Sequence, residues 1–275
     1  MNPNDKGAVM SYEIQAGVAL ITGASSGIGA LYADRLAKRG FDLIVVARDE
    51  ARLEALAERL VKETGRRVAP LRADLTDPAD LARVERVLRD DAAITMLVNN
   101  AGLGAVTPLL ETDVRKADEL IALNVTALTR LTYAAAPAFA ARGRGTIINI
   151  ASIVGISPET LNGVYGASKA YVLALSHSLQ HELAGKGLRI QAVLPGATAT
   201  DFWAKTGLPY ESLPKSIVMS AEDVVDAALA GLDQGERVTI PGLHNGDEWN
   251  RFEAARVALA QQFGNTAPAP RYSAA

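Results

Sequence analysis

Short, uninterrupted apolar runs recur along this chain at intervals of roughly 20 to 50 residues, with helix-patterned stretches between them. Residues 17–22 (GVALIT), 43–47 (LIVVA), 68–71, 94–98, 146–150 and 189–194 are such runs, and 238–240 is a short seventh. They do not alternate polar with apolar, so each reads as a strand buried on both faces. The intervening segments carry helix signals. Residues 28–39 stop at Gly40, and Leu53, Leu56 and Leu60 fall at helical spacing within the charged stretch 49–62. Asp77 is an N-cap with Pro78 at the first helical position, and Leu81, Val84 and Leu88 point inward. Long helical stretches cover 113–141 and 165–183, and Ser220 with Asp223 forms a capping box ahead of another helix. This alternation predicts an α/β fold, a parallel sheet with helices on both faces. The polar residues 1–14 read as a flexible leader, 15–264 as a single domain, and the Ala- and Pro-rich residues 265–275 as a loose tail.

Composition narrows the function classes. With 49% hydrophobic and 21% charged residues, a large core forms and wholesale disorder is excluded. A net charge of -3 gives no electrostatic reason to expect nucleic acid or an anionic membrane as partner. The chain has 0 Cys, which removes disulfides, thiolate nucleophiles and Cys-based metal sites. Only 3 His are present, and His177 and His181, one helical turn apart, lack an evident third ligand, so no metal site is expected. No apolar run reaches the roughly 18 residues of a membrane span, nor is there a signal-peptide pattern, and a cytoplasmic protein is the expectation.

In parallel sheets of this kind ligands sit at the carboxyl ends of the strands. The first strand ends in Thr22-Gly23-Ala24-Ser25-Ser26-Gly27-Ile28-Gly29. Glycines there permit a tight turn, and the following helix N-terminus offers amide donors and partial positive charge to a pyrophosphate. The same residues fit GxSxG, which makes Ser25 a candidate hydrolase nucleophile with His244 as base; against it, no loop precedes this first strand to complete an oxyanion hole. The second strand runs into Ala47-Arg48, the third is followed by Asp74-Leu75, and the fourth ends in Asn99-Asn100-Ala101-Gly102. The fifth leads to Ser152, the next helix carries Tyr165 and Lys169, and the sixth strand ends in Pro195-Gly196-Ala197-Thr198-Ala199-Thr200.

With these elements in this order and spacing (TGxxxGIG, NNAG, Ser, YxxxK and PG), the sequence resembles the short-chain dehydrogenase/reductase family from about residue 17 to 241. The resemblance implies a single-domain, Rossmann-type doubly wound parallel sheet of about seven strands and a nicotinamide cofactor. It also implies reversible chemistry between a carbonyl and a secondary alcohol. Carried over to this chain, Gly23, Ser25, Ser26, Gly27, Ile28 and Gly29 form the cofactor turn. Asp74 and Leu75 lie at the adenine, and Asn100, Ala101 and Gly102 around the adenosine ribose. Pro195, Gly196, Thr198 and Thr200 lie at the nicotinamide end; Thr198 stands where the family usually has Val. Ser152 holds the substrate oxygen, Tyr165 exchanges the proton, and Lys169 binds the nicotinamide ribose and acidifies Tyr165. Asn124 supports Lys169 and a water-linked proton path.

The residues themselves support part of this. YxxxK places both side chains on one helix face. A cation at about 4 Å with an effective dielectric near 20 contributes roughly 4 kcal/mol. That is about what a tyrosine needs to titrate two to three units lower. Ala47 offers no acceptor to a ribose 2′-hydroxyl, whereas Arg48 can meet a 2′-phosphate with a planar set of donors; the cofactor expectation is therefore NADP(H) preferred over NAD(H). A non-catalytic NADP(H)-binding regulatory module is the alternative, disfavoured because such a module needs no proton donor. Phe202, Trp203 and Tyr210 lie in a long segment, 201–219, that reads as a lid over an apolar substrate or as ordinary loop packing. The expected partners are a small-molecule carbonyl or alcohol substrate and further copies of the chain, as a homotetramer or homodimer.

Overall fold

The computed structural model describes residues 16–161, 163–206 and 208–272. The leader expected at 1–14 lies outside the described residues. Contacts divide the chain after Pro241, and each unit is described by itself.

The first unit is built on a seven-stranded parallel sheet. Its strands are β1 (Val18–Thr22), β2 (Asp42–Ala47), β3 (Val68–Arg72), β4 (Ile94–Asn99), β5 (Gly145–Ile150) and β6 (Leu188–Val193). Next come β7 (Ala197–Ala199) and β8 (Val218–Ser220), which pair parallel as a separate two-stranded sheet, and β9 (Val238–Thr239), which completes the large one. The order across the large sheet is β3-β2-β1-β4-β5-β6-β9, so the chain reverses direction of travel between β1 and β4. That reversal opens a crevice at the carboxyl ends of β1 and β4. The helices are α1 (Gly27–Lys38), α2 (Glu50–Thr64), α3 (Pro78–Asp90), α4 (Val114–Ile121), α5 (Leu128–Ala141), α6 (Gly163–Glu182), α7 (Phe202–Thr206) and α8 (Ala221–Asp233).

Successive strand residues feed opposite faces of the sheet. Ala19, Ile21, Met96, Val98 and Ile148 pack with α1, α2 and α8, for example on Leu36, Leu53 and Leu229. Leu20, Leu97 and Ile147 pack with α3, α5 and α6, on Leu88, Leu131, Phe139 and Leu179. Both sheet faces are therefore covered. One strand departs from the expected burial: β3 is the sheet edge and only half-covered, which is what lets it carry Pro70 without losing a ladder bond.

Start signals read from sequence are realised in detail. Asp77 accepts from the amides of Ala79 and Asp80 at 2.9 Å, with Pro78 in the first turn of α3. Ser220 accepts from the amide of Asp223 at 3.0 Å, but the Asp223 carboxylate returns to the Ser220 hydroxyl at 2.7 Å and not to its amide. The stretch 113–141 is helical yet not uniform. Asp113 caps α4, and a π-helical turn, Ala122–Ala127, separates α4 from α5 with Asn124 buried inside it. The second unit contains α9 (Gly246–Ala260), capped by Asn245 and holding a stacked Trp249–Phe252 pair with ring centroids 5.3 Å apart. No helix among the described residues is long and apolar enough to cross a membrane.

Candidate active site

The turn after β1 is shaped by what cannot fit there. Gly23 (φ 67°) and Gly27 (φ 53°) occupy the left-handed region that costs other residues strain. A Cβ on Gly23 would come within 2.8 Å of the Asn100 amide nitrogen, and one on Gly29 would overlap the Gly23 carbonyl. Asn100 reaches this tightness by donating to the carbonyls of Thr22 (2.9 Å) and Gly23 (3.2 Å). Thr22 answers by accepting from the amides of Asn100 and Ala101, both at 3.0 Å. Asn100 is thus a brace between the ends of β1 and β4. Ser26 stands at the N-cap of α1 without spending its hydroxyl on a cap bond, and the first turn holds no acidic side chain. The helix end is therefore open to an anion. Ser25, Ile28 and Gly102 line the same crevice half-buried.

Beyond β2, Arg48 is exposed and its Nη1 lies 3.9 Å from Asp74 Oδ2. The other Asp74 oxygen is engaged by the Thr76 amide (3.0 Å) and hydroxyl (2.7 Å). Burial pushes the Asp74 carboxyl up, but the Thr76 bonds and Arg48 outweigh it and hold it below the usual range. Leu75 beside it is buried. Asp49 follows Arg48 in the chain. It is the N-cap of α2, accepting from the Arg52 amide at 3.1 Å.

The three candidate chemical residues converge where β5, α6 and the loop after β6 meet. Ser152 follows β5, accepts from the Val154 amide (3.4 Å) and lies 3.3 Å from the Pro195 carbonyl. Its hydroxyl is hydrogen-bonded to Tyr165 on α6. One turn along, the Lys169 ammonium donates to the Ile150 carbonyl at 2.9 Å and lies 5.8 Å from the Tyr165 ring centroid. All three are buried. Asn124 accepts from the Leu103 amide (2.8 Å) and donates to the Leu103 carbonyl (2.9 Å) and the Ser168 hydroxyl (3.1 Å). Ser168 in turn donates to the Tyr165 carbonyl at 2.8 Å. Asn124 therefore ties the 103 loop to the helix that carries Tyr165.

Burial pushes the Tyr165 phenol up to about 12 against the opposing bond from Ser152, and the same burial lowers Lys169 to about 8. Desolvation dominates both groups.

The loop after β6 closes the site. Pro195 is buried, Gly196 exposed, and Thr198 bonds to the Gly196 carbonyl at 3.1 Å. Thr200 approaches the glycine turn: a Cβ on Gly27 would sit 3.0 Å from its methyl group. The described residues of the segment read as a lid form short helices and turns that run into β8. Trp203 is buried and its indole N–H donates to the Thr198 carbonyl at 2.9 Å, while Phe202 packs on Tyr165. Leu120, Val154 and Tyr165, with Leu103, Ala105, Leu161, Val164 and Phe202, make one apolar cluster around the phenol. Sequence reasoning assigned no role to Thr22, Ser168 and Gly104, whose roles come from contacts between distant segments. A groove at the amino ends of β5 and β6, lined by Gly145, Leu188 and Glu236 among others, lies at the opposite end of the strands from Tyr165.

These residues fit a dinucleotide. The glycine cradle leaves no room for side chains, the first turn of α1 carries no acidic residue, and Lys169 is a buried cation beside the Gly102 backbone. Comparisons agree. The description short chain dehydrogenase matches residues 17–210. A short-chain dehydrogenase from Sphingobium yanoikuyae, solved in complex with NADPH, is 49% identical with a TM-score of 0.91, covering 94% of this chain and 100% of that one. The bulky-bulky ketone specific alcohol dehydrogenase from Comamonas testosteroni is 46% identical with a TM-score of 0.86, covering 94% and 99%. An uncharacterized oxidoreductase of Staphylococcus saprophyticus is 33% identical over 231 residues, 83% of this chain and 96% of the relative. The chain is an oxidoreductase and belongs to the short-chain dehydrogenase family.

Proposed function

We propose that the protein is an NADP(H)-dependent reductase of apolar ketones, working reversibly on the corresponding secondary alcohols. The observation that carries this reading is the buried Ser152–Tyr165–Lys169 group at the carboxyl ends of the strands, facing an apolar cluster. Gly23, Ser25, Ser26, Gly27, Ile28 and Gly29 would hold the pyrophosphate, and Asp74, Leu75, Asn100, Ala101 and Gly102 the adenosine half. Pro195, Gly196, Thr198, Thr200 and Lys169 would hold the nicotinamide half, and Arg48 the 2′-phosphate. Bound NADPH supplies a hydride. Ser152 receives the ketone oxygen and stabilises the negative charge that grows on it. Tyr165, whose phenol burial keeps protonated, gives that oxygen its proton. Lys169 holds a positive charge beneath the ring, and Asn124 fixes the backbone on which Tyr165 rides. A neutral phenol is the form that reduction needs. The Sphingobium relative's NADPH and the Comamonas relative's bulky ketones support the cofactor and the substrate class.

The test is a panel of alkyl and aryl ketones followed by NADPH absorbance, with NADH in parallel. NADPH-linked turnover of apolar ketones is expected. Tight NADPH binding without turnover of any carbonyl would leave the regulatory module as the function.

A further inference from the structure

Phe202 takes no part in the proton chemistry, yet its ring lies on the tyrosine that does. The two ring centroids are 5.9 Å apart at 48°. Three neighbours fix the ring in place. Trp203 meets it edge-on, with centroids 5.8 Å apart at 87°, and is itself tied to the Thr198 carbonyl. Thr206 closes the next turn of α7 by bonding to the Trp203 carbonyl at 2.7 Å. The third neighbour is an absence of side chain. A Cβ on Gly104 would overlap Phe202 Cζ and come within 2.7 Å of Cε1 and 2.9 Å of the Thr206 methyl. Gly104 does not need its glycine for backbone reasons, because its φ is not positive. Its small size is what the ring uses.

We infer that Phe202 is the size-determining wall of the ketone pocket and that Gly104 is the positioning residue that sets how far this wall stands from Tyr165. The inference rests on the ketone-reductase reading and names the residue that limits the substrate. A ketone whose oxygen reaches Ser152 and Tyr165 must place one substituent beside the Phe202 ring. Removing the ring opens that side. Adding a methyl at 104 leaves no room behind the ring and drives it toward the substrate.

The experiment compares kcat/KM for butan-2-one and butyrophenone in wild type, Phe202→Ala, Gly104→Ala and the double variant, with NADPH. Phe202→Ala should raise the ratio of the larger to the smaller ketone roughly tenfold, the change expected from reshaping an apolar pocket, chiefly through KM. Gly104→Ala should lower it by a similar factor. In the double variant the Gly104→Ala effect should vanish, since the ring it displaces is gone. An unchanged ratio in Phe202→Ala, or a Gly104→Ala effect of equal size with and without the ring, overturns the inference. If no ketone turns over in wild type, the ketone-reductase reading fails separately. The wall is then read from calorimetric binding of butan-2-ol and 1-phenylbutan-1-ol to the protein with NADP+. The same pattern of ratios sustains it, and unchanged ratios or no binding defeat it.

Discussion

Tyr165 and Lys169 sit one helical turn apart, and burial moves them in opposite directions, the phenol up to about 12 and the ammonium down to about 8. Reduction needs the neutral phenol and the charged lysine. Below about 8 both are present, and above it the lysine loses its charge while the phenol stays neutral. The kcat/KM for NADPH should therefore be flat on the acid side and fall as pH rises through about 8. Lys169→Arg keeps a charge throughout and should lose that falling limb, at a lower plateau rate. A limb unchanged in the arginine variant would assign it to another group. Arg48 carries the cofactor prediction. It is exposed and 3.9 Å from Asp74, free to turn to a 2′-phosphate. A hydrogen bond to a charged group is worth about 1.5–3 kcal/mol, so a roughly 10- to 150-fold preference for NADPH over NADH is expected. Ala47→Asp with Arg48→Ala should reverse it, as read from the ratio of kcat/KM for the two cofactors with one ketone.

At the scale of elements, what the sequence made legible follows from locality. Asp77 and Ser220 act on atoms within a few residues, and the glycine turn needs its positive φ at Gly23 and Gly27, so spacing alone announces them. The π-turn around Asn124 and the small β7–β8 sheet depend on bonds across the fold, to Leu103 and between residues about twenty apart, and no local pattern marks them. Helix α9 has a start signal in Asn245 and Asp247, yet no buried residue, so its apolar spacing is weak. The helix layer over β1 also contains a charge cluster that the sequence presents only as a solvated face. Asp34 on α1 is 4% exposed and accepts from Arg35 (2.7 Å), Lys38 (2.8 Å) and Arg59 of α2 (3.1 Å). Arg35 passes the link to Asp226 of α8 at 2.7 Å. Burial pushes the Asp34 carboxyl up, but the three cations prevail and bring it to about 2. A carboxylate so depressed adds stability above its unfolded value near 4 and loses it as pH falls through about 2. Asp34→Asn should cost about 2 kcal/mol in urea unfolding at pH 7, and the gap from wild type should narrow from pH 4 downward.

For the whole molecule, a parallel sheet covered by helices on both faces was readable from the apolar runs, and its doubly wound order from the resemblance that the motifs carry. The position of the substrate wall was not, since it depends on a glycine and a phenylalanine almost a hundred residues apart meeting over Tyr165. The outer face of α4 to α6 leaves Ile121, Tyr133 and Tyr171 exposed, and we propose that copies of the chain pair there, as a tetramer in preference to a dimer. Light scattering at micromolar concentration should give a mass of four chains, or two; a monomer contradicts the proposal. The central claim is that Tyr165 passes a proton to a ketone beside a bound nicotinamide. Tyr165→Phe tests it most directly, by removing one hydroxyl from a ring whose packing on Phe202 should persist. NADPH oxidation by butyrophenone should fall by at least about a hundredfold, the scale of general acid catalysis, while the NADPH dissociation constant stays within about twofold. Turnover at the wild-type rate in that variant would contradict the account.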